Sequence, residues 1–547
     1  MRRAFRYEND KVKEQDFHDY DEYEWGERES RFLYNVMNQY HNKSVTENGA
    51  LGYETTSDPL VDLNFKVSSL RSKTKEYIVK EFIKAYYALP EYAVKWLFFI
   101  RDITEGLGER RTFRICLQYL AESHPNITLK ILKLIPKYGR YDDYLCLLDT
   151  GLCDTVCCLL KGQLEKDLNA MENKEPVSLL AKWLPSINAS SHKSRETAKL
   201  LIQKWGMSEK KYRKILSALR KYLDIVEVKM TDSRWNEIIY EKVPAKANLL
   251  YDHAFAEHDE ERRADYLYKV LHGKAKLNGK GIMPYEIVHR FVKDGYFLKG
   301  LKDDLTAELM WKCIQEQGFR NAWGLEDCIV VADGSGSMYQ NASGSSKVMA
   351  IEIGMSLAIY FSEQLKGIFH DKAITFSATP QFIDLGKGNG VKEKIEIMSA
   401  YNEVANTNIE AVFDLLLALA TDNEVPKDLL PKQVLIISDM EFDKASTPSR
   451  WKNELWNPFN QRLFDAIEEK YNKAGYKMPR LIFWNVCGRT NTMPKVNHEQ
   501  GICLLSGFSQ NAMKIAVNKE KKSAYESLIE VLDSPRYEPV EEALKGA

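Results

Sequence analysis

The spacing of apolar residues changes once along this chain, and that change constrains the fold more than any other feature. From about Leu70 to Gly300 the dominant period is helical. Tyr77, Ile78, Phe82, Tyr86 and Leu89 share one stripe behind Thr74, a natural N-cap, and Pro90 opens a second run with Ala93, Trp96, Leu97 and Ile100 on one face. Prolines at 125, 136, 176, 185, 244 and 284 punctuate the rest. The spacing predicts about a dozen helices of roughly 12 to 18 residues, stacked as helical hairpins in the HEAT-repeat manner without a clean sequence repeat.

Near Asn321 short β-branched runs begin to alternate with amphipathic stretches. Cys328 to Ala332, Ala373 to Phe376, Val434 to Ile437 and Leu481 to Val486 read as strands. Helices are expected at about Lys347 to Leu365, Asn408 to Ala420 and Leu455 to Lys473. Such alternation implies a mostly parallel, doubly wound sheet with its sites at the carboxyl ends of the strands. The expected organisation is therefore an acidic, aromatic N-terminal arm over 1–43, an all-α helical-repeat domain over 44–318, and an α/β domain with C-terminal helices over 319–547.

Composition excludes several classes. The 547 residues carry 77 Lys and Arg against 78 Asp and Glu, so any nucleic-acid affinity must be local. No stretch approaches the ~18 to 20 uncharged apolar residues a membrane span needs, and the basic start lacks the apolar core of a signal peptide. A cytoplasmic location with no membrane partner is the expectation. The cysteine group 146, 153, 157 and 158 includes no histidine and reads as a buried helix face rather than a zinc site. The Gly386 to Gly390 segment lacks the Walker spacing and reads as a turn. His253, His258, His272 and His289 fall at irregular intervals without a nucleophile in motif spacing, and are expected on the surface or in the core.

The feature that carries chemistry is Asp333-Gly334-Ser335-Gly336-Ser337, which follows the first strand of the second half directly. It places a carboxylate and two hydroxyls on one turn at a strand's carboxyl end, an oxygen set suited to Mg²⁺. Thr407 precedes a helix, and Asp439 ends another strand at the same edge. In this order the residues resemble the metal-ion-dependent adhesion site (MIDAS) of von Willebrand factor A domains. The resemblance implies Ser335 and Ser337 as direct ligands, Thr407 as state-dependent, and Asp333 and Asp439 acting through water. It also implies a cation, Mg²⁺ or another divalent ion, that accepts an acidic side chain from a protein partner. The third loop of that family often reads Asp-Gly, whereas Met440 follows Asp439 here, with Glu441 and Asp443 close by.

A helical array joined to such a domain resembles the Ro ribonucleoprotein family, whose TROVE module is a ring of helical hairpins that binds RNA. Closer still is a family known mainly as a domain of unknown function, with plant, bacterial and viral members. Its marks stand here as Thr46 to Ala50 with Thr55 to Pro59, as Phe98 to Asp102 with Gly106 to Arg110, and as Ser438 to Asp443. The charge distribution adds two basic segments. Residues 191–230 hold eleven Lys and Arg against four acids, and residues 262–302 hold ten against three. Lys193, Arg195, Lys211, Arg213, Lys214, Arg220 and Lys221, with Lys274, Lys276 and Lys280 in a glycine-containing loop, are the candidate RNA contacts, with Tyr212 and Tyr222 available for stacking. Helix faces balanced by acidic neighbours are the competing reading. These features describe a non-enzymatic RNA-binding scaffold for a small structured RNA. A protein-only adaptor using the metal site is the alternative, and a metal-dependent hydrolase ranks below both because two-metal hydrolysis needs more direct carboxylates.

Overall fold

In the computed structural model Asp58 begins the first helix in the way its sequence dictates. Its carboxylate accepts the backbone N–H groups of Leu60 and Val61, and Pro59 occupies the first helical position of Pro59–Phe65. The structure describes residues 44–45, 51–52, 54–292, 301–320, 327–343, 347–377, 379–401, 409–440, 461–488, 502–516 and 522–545. All of them belong to one compact unit spanning residues 43–547.

A small antiparallel pair, β1 (Ser44–Val45) and β2 (Leu51–Gly52), precedes a long helical region. Thr74 caps Lys75–Ala88 through the Tyr77 N–H, and Pro90 opens Pro90–Arg101. Further on the elements are often shorter than the periodicity predicts. Residues 125–138 form Pro125–Ile131, a 3₁₀ turn at Leu132–Leu134 and the single turn Ile135–Tyr138. Pro136 has no N–H to continue the α-helical ladder, so the run breaks into pieces.

The second half is a six-stranded sheet made of β3 (Cys328–Asp333), β4 (Lys372–Phe376), β5 (Phe382–Asp384), β6 (Gln433–Ser438), β7 (Arg480–Asn485) and β8 (Ile502–Ser506). The spatial order is β5-β4-β3-β6-β7-β8, parallel throughout except for the antiparallel edge strand β5. The four expected strands are present within a residue or two of their sequence bounds. The edge strands β5 and β8 are additional. Order reverses between β3 and β6, and in open α/β sheets such a switch point opens a crevice at the strands' carboxyl ends.

The helix Ala350–Ser362 is buried along its whole length. One side lies on the sheet and the other is covered from the helical half, which explains a sequence apolar all round. Pro284–Phe291 packs on it, and Leu305–Arg320 bonds to it and to the turn after it: Gln315 donates to the Tyr360 carbonyl at 3.1 Å and Trp311 to Glu363 at 2.9 Å. Glu308 accepts the N–H groups of Val391 and Lys392, both at 2.9 Å, and so caps Val391–Ala400 across the two halves.

The C-terminal helices Ala524–Leu532 and Glu538–Lys545 return to the start of the helical region. Arg536 forks onto the buried Asp102 carboxylate, and Lys95, 1% exposed, reaches Asp533 and Glu541. The halves therefore meet through interlocking ion pairs as well as apolar packing.

Candidate functional site: an oxygen cluster at the sheet switch point

β3 is buried along its length and delivers Asp333 to the switch point. The Ser335 N–H donates to Asp333 Oδ1 at 2.9 Å, which closes the turn and brings the next two hydroxyls together. Ser335 Oγ and Ser337 Oγ lie 3.0 Å apart. From β6, the Ser438 hydroxyl donates to Asp333 Oδ2 at 2.6 Å and accepts the Met440 N–H at 3.1 Å. This serine, absent from the sequence-based candidates, ties the two strand ends together.

Asp333 and Asp439 are both buried. Burial pushes the Asp333 carboxyl well above the ordinary carboxylate range and the negative charge of Asp439 pushes it the same way, against the opposing hydrogen bonds from Ser438 and Ser335. Met440, where the resembled family often has glycine, adopts a left-handed backbone with φ of 63° while its side chain is buried. A non-glycine residue in that region is strained, typically by ~1 to 2 kcal/mol, and such strain gathers at functional sites. Gly336 is exposed and Ser337 half-buried, so the turn meets solvent through its hydroxyl-bearing tip. Thr407, Glu441 and Asp443 lie outside the described residues. Among the described residues no group of three or more His, Cys, Asp or Glu side chains could hold a metal, so a cation here would depend on hydroxyl ligands.

The basic candidates divide by what surrounds them. Lys211, Arg213, Lys214 and Lys221 are exposed on Glu209–Tyr222, opposite the buried Tyr212, Leu216 and Leu219. Lys193, Lys274, Lys276 and Lys280 are exposed as well. Arg195 is instead half-buried and donates to the carbonyls of Ala189 and Ser190. Arg220 donates to the carbonyls of Ala181 and Leu184 and to the Ser186 hydroxyl. Tyr212 is fully buried with its hydroxyl on the Pro185 carbonyl, so it is a core residue rather than a stacking platform, whereas Tyr222 is 39% exposed.

The cysteines and histidines also separate. All nine cysteines are free thiols; Cys157 is buried in Cys153–Glu172, Cys158 is exposed on the same helix, and Cys146 lies before it in a 3₁₀ segment. Gly386 to Gly390 forms a turn in which the Asp384 carboxylate accepts the Gly386 N–H. His289 is half-buried, and its Nδ1 lies 2.6 Å from the buried Glu352 carboxylate of Ala350–Ser362. That hydrogen bond raises the imidazole pKa against the opposing effect of burial.

Fold and site together define a class: a helical array packed on an open α/β sheet, with an oxygen-rich cluster where the strand order reverses. The particular relatives come from comparison. Residues 327–543 match the model of a domain of unknown function (DUF7788), and residues 46–148 and 202–318 match that of a second domain of unknown function (DUF2828). The chain is 26% identical over 540 residues to Uncharacterized protein L728 of Acanthamoeba polyphaga mimivirus, an alignment covering 91% of this chain and 89% of the relative. Among solved structures, the Deinococcus radiodurans RO (RSR) protein aligns with 81% of this chain and 93% of its own, at 13% identity and a TM-score of 0.42.

Proposed function

We propose that this protein is a non-enzymatic scaffold that holds a Mg²⁺-like cation at the β3–β6 switch point, in the manner of a von Willebrand factor A adhesion site, and offers it to an acidic group of a partner. The observation that carries the reading is the pair of serine hydroxyls 3.0 Å apart beside Asp333. That carboxylate is buried and faced by the charge of Asp439, both unfavourable to ionisation. A divalent ion supplies the missing positive charge, and an all-oxygen donor set matches its hardness. Few direct carboxylates leave the ion electrophilic toward an incoming one, and too few to hold two ions for hydrolysis.

The helical half, in the same reading, binds RNA. The side chains of Lys211, Arg213 and Lys214 have no carboxylate partner among the described residues, whereas Lys199, Lys204, Lys229 and Lys269 each pair with one. Unpaired cations exposed on one helix suit a phosphate backbone better than a balanced, solvated face does.

Calorimetric titration of Mg²⁺ into the metal-free protein tests the first part: wild type binds and the Ser335→Ala, Ser337→Ala double variant, still folded, does not. Metal affinity that survives the double change refutes the site. RNA binding is tested by filter retention across a salt series. Absence of salt-sensitive binding at low ionic strength leaves the protein-only adaptor as the better account.

A further inference from the structure

Arg220 is a guanidinium in an unusual setting. It is half-buried, burial holds its pKa below the ordinary arginine range, and no carboxylate pairs with it among the described residues. A desolvated cation normally has an anionic partner. Here the partners are two carbonyls and a hydroxyl, which use three of its five N–H donors.

The same side chain lines a cavity of about 300 Å³ between Glu209–Tyr222 and the loop that begins at Ser186. This volume is at the small end of ligand pockets. Polar groups gather on its walls: Ser186, Asn188, Arg213 and Ser217 join Arg220. Arg213 is exposed, and its side chain has no ion-pair or hydrogen-bond partner among the described residues. Ile187, Leu216 and Val228 supply apolar surface in the same cavity. The loop is held in place before any ligand arrives. Arg220 secures it at Leu184 and Ser186, and Arg195 secures it at Ala189 and Ser190. A preformed pocket lined by two arginines, with apolar side chains between and beside them, suits a phosphate attached to a flat, weakly polar ring.

The geometry points to a nucleotide site: the cavity takes a nucleoside monophosphate unit, its phosphate on Arg220 and Arg213 and its base against Ile187, Leu216 and Val228. The unit comes from a free nucleotide or from an unpaired nucleotide of RNA. In the second case the site rests on the RNA reading above and specifies what that surface recognises, since proteins read RNA mainly at unstacked bases. Asn188 and Ser217 at the rim supply hydrogen bonds to the ribose or the base edge.

The test uses the full chain and AMP as the probe, followed by calorimetry. AMP binds wild type, while adenosine and inorganic phosphate each bind at least about tenfold more weakly, since each lacks half of the contacts. Ser217→Trp, an exposed helical position, plugs the cavity and abolishes AMP binding while thermal unfolding stays unchanged. Arg213→Gln, also exposed, weakens AMP by roughly tenfold through loss of a charge-assisted hydrogen bond. A 5′-phosphorylated single-stranded oligonucleotide distinguishes the sources: competition by AMP places the RNA's nucleotide in this cavity. Failure of AMP to bind at millimolar concentration, or binding that Ser217→Trp leaves intact, overturns the site. If oligonucleotide binding then persists and falls with Lys211→Glu and Lys214→Glu, the RNA reading stands and only the pocket is lost. AMP binding without any oligonucleotide binding keeps the pocket and removes the RNA reading.

Discussion

Replacing Arg536 with alanine should destabilise the whole unit, because one side of the ion pair it breaks is completely buried. Asp102 has a side-chain exposure of 0% and Arg536 of 22%, with contacts of 2.6 Å and 2.9 Å. Removing one partner of a buried pair costs ~3 to 5 kcal/mol because the remaining charge is left desolvated. Two considerations refine that range. Asp102 keeps the backbone N–H groups of Thr104 and Glu105, and the Tyr537 hydroxyl at 3.4 Å, which favours the lower end. The guanidinium also sits 4.9 Å from the Tyr138 ring centroid, a cation–π contact worth ~0.5 to 1 kcal/mol. The expected loss is thus about 3 to 4 kcal/mol. Urea unfolding read by both circular dichroism and tryptophan fluorescence measures it, and the two probes should move together because residues 434 positions apart share the contact. Asp102→Asn added to Arg536→Ala should recover part of the loss by removing the orphaned charge. A loss under about 1 kcal/mol, or no recovery in the double variant, refutes the burial argument.

Three single positions elsewhere in the chain give further expected outcomes. Asp333 binds its proton more tightly in the folded than in the unfolded chain, so metal-free protein loses stability as pH rises above the unfolded carboxyl value of 3.8. The gain in melting temperature from Mg²⁺ should therefore be larger at pH 8 than at pH 5, and equal gains would contradict the assignment. His289 has its folded pKa raised above 6.5 by Glu352, so its contribution is fully present below pH 6.5 and is lost as pH rises through the folded value; His289→Gln should flatten that slope in pH-dependent melting. Gly318→Ala would drive a Cβ into the Tyr360 hydroxyl and the Gln364 amide, so calorimetry should show a loss of ~1 to 3 kcal/mol, and a neutral result would mean that this helix contact is looser than it looks.

The parts of the fold legible in sequence are those set by local pattern. β3, β4 and β6 are short runs with β-branched residues and β7 an apolar, aromatic one, and the Asp333 turn follows β3 without a gap. β5 is three residues, too short for alternation to stand out from a loop. β8 is an apolar run of similar length to the others, but its place in the sheet depends on pairing with β7 rather than on its own composition. Ser438 was hidden because a serine at the end of a strand is ordinary until the partner strand delivers a carboxylate to it. Arg220 and Tyr212 show the opposite limit. Both lie in a basic, aromatic stretch, yet the helix turns one into the core and holds the other on carbonyls through part of its donors, and only packing decides which donors stay available. The ion pairs of Lys95 and Asp102 with residues more than four hundred positions away leave no local signal at all.

Contacts of the same long range also determine which part of the sheet edge the chain itself covers. The helix Val67–Leu70 sits on the carboxyl ends of β7 and β8: Ser68 Oγ donates to the Asn485 carbonyl at 3.0 Å, lies 3.0 Å from Ser506 Oγ and accepts the Gly507 N–H at 2.9 Å. Beside it, the Gly488 N–H donates to the Ala342 carbonyl at 2.9 Å, and a side chain at Gly488 would strike both Ala342 and Ser72. The chain's own helical half thus occupies the β7–β8 portion of the edge, and the Gly488–Ala342 bond ties that portion to the segment that follows the Asp333 turn. The β3–β6 portion, by contrast, ends in the exposed Gly336 and the half-buried Ser337. In the reading proposed above, an acidic group of a partner approaches the cation over those two residues, so a bulky residue at Gly336 should block it while leaving the buried carboxylates and the sheet core undisturbed.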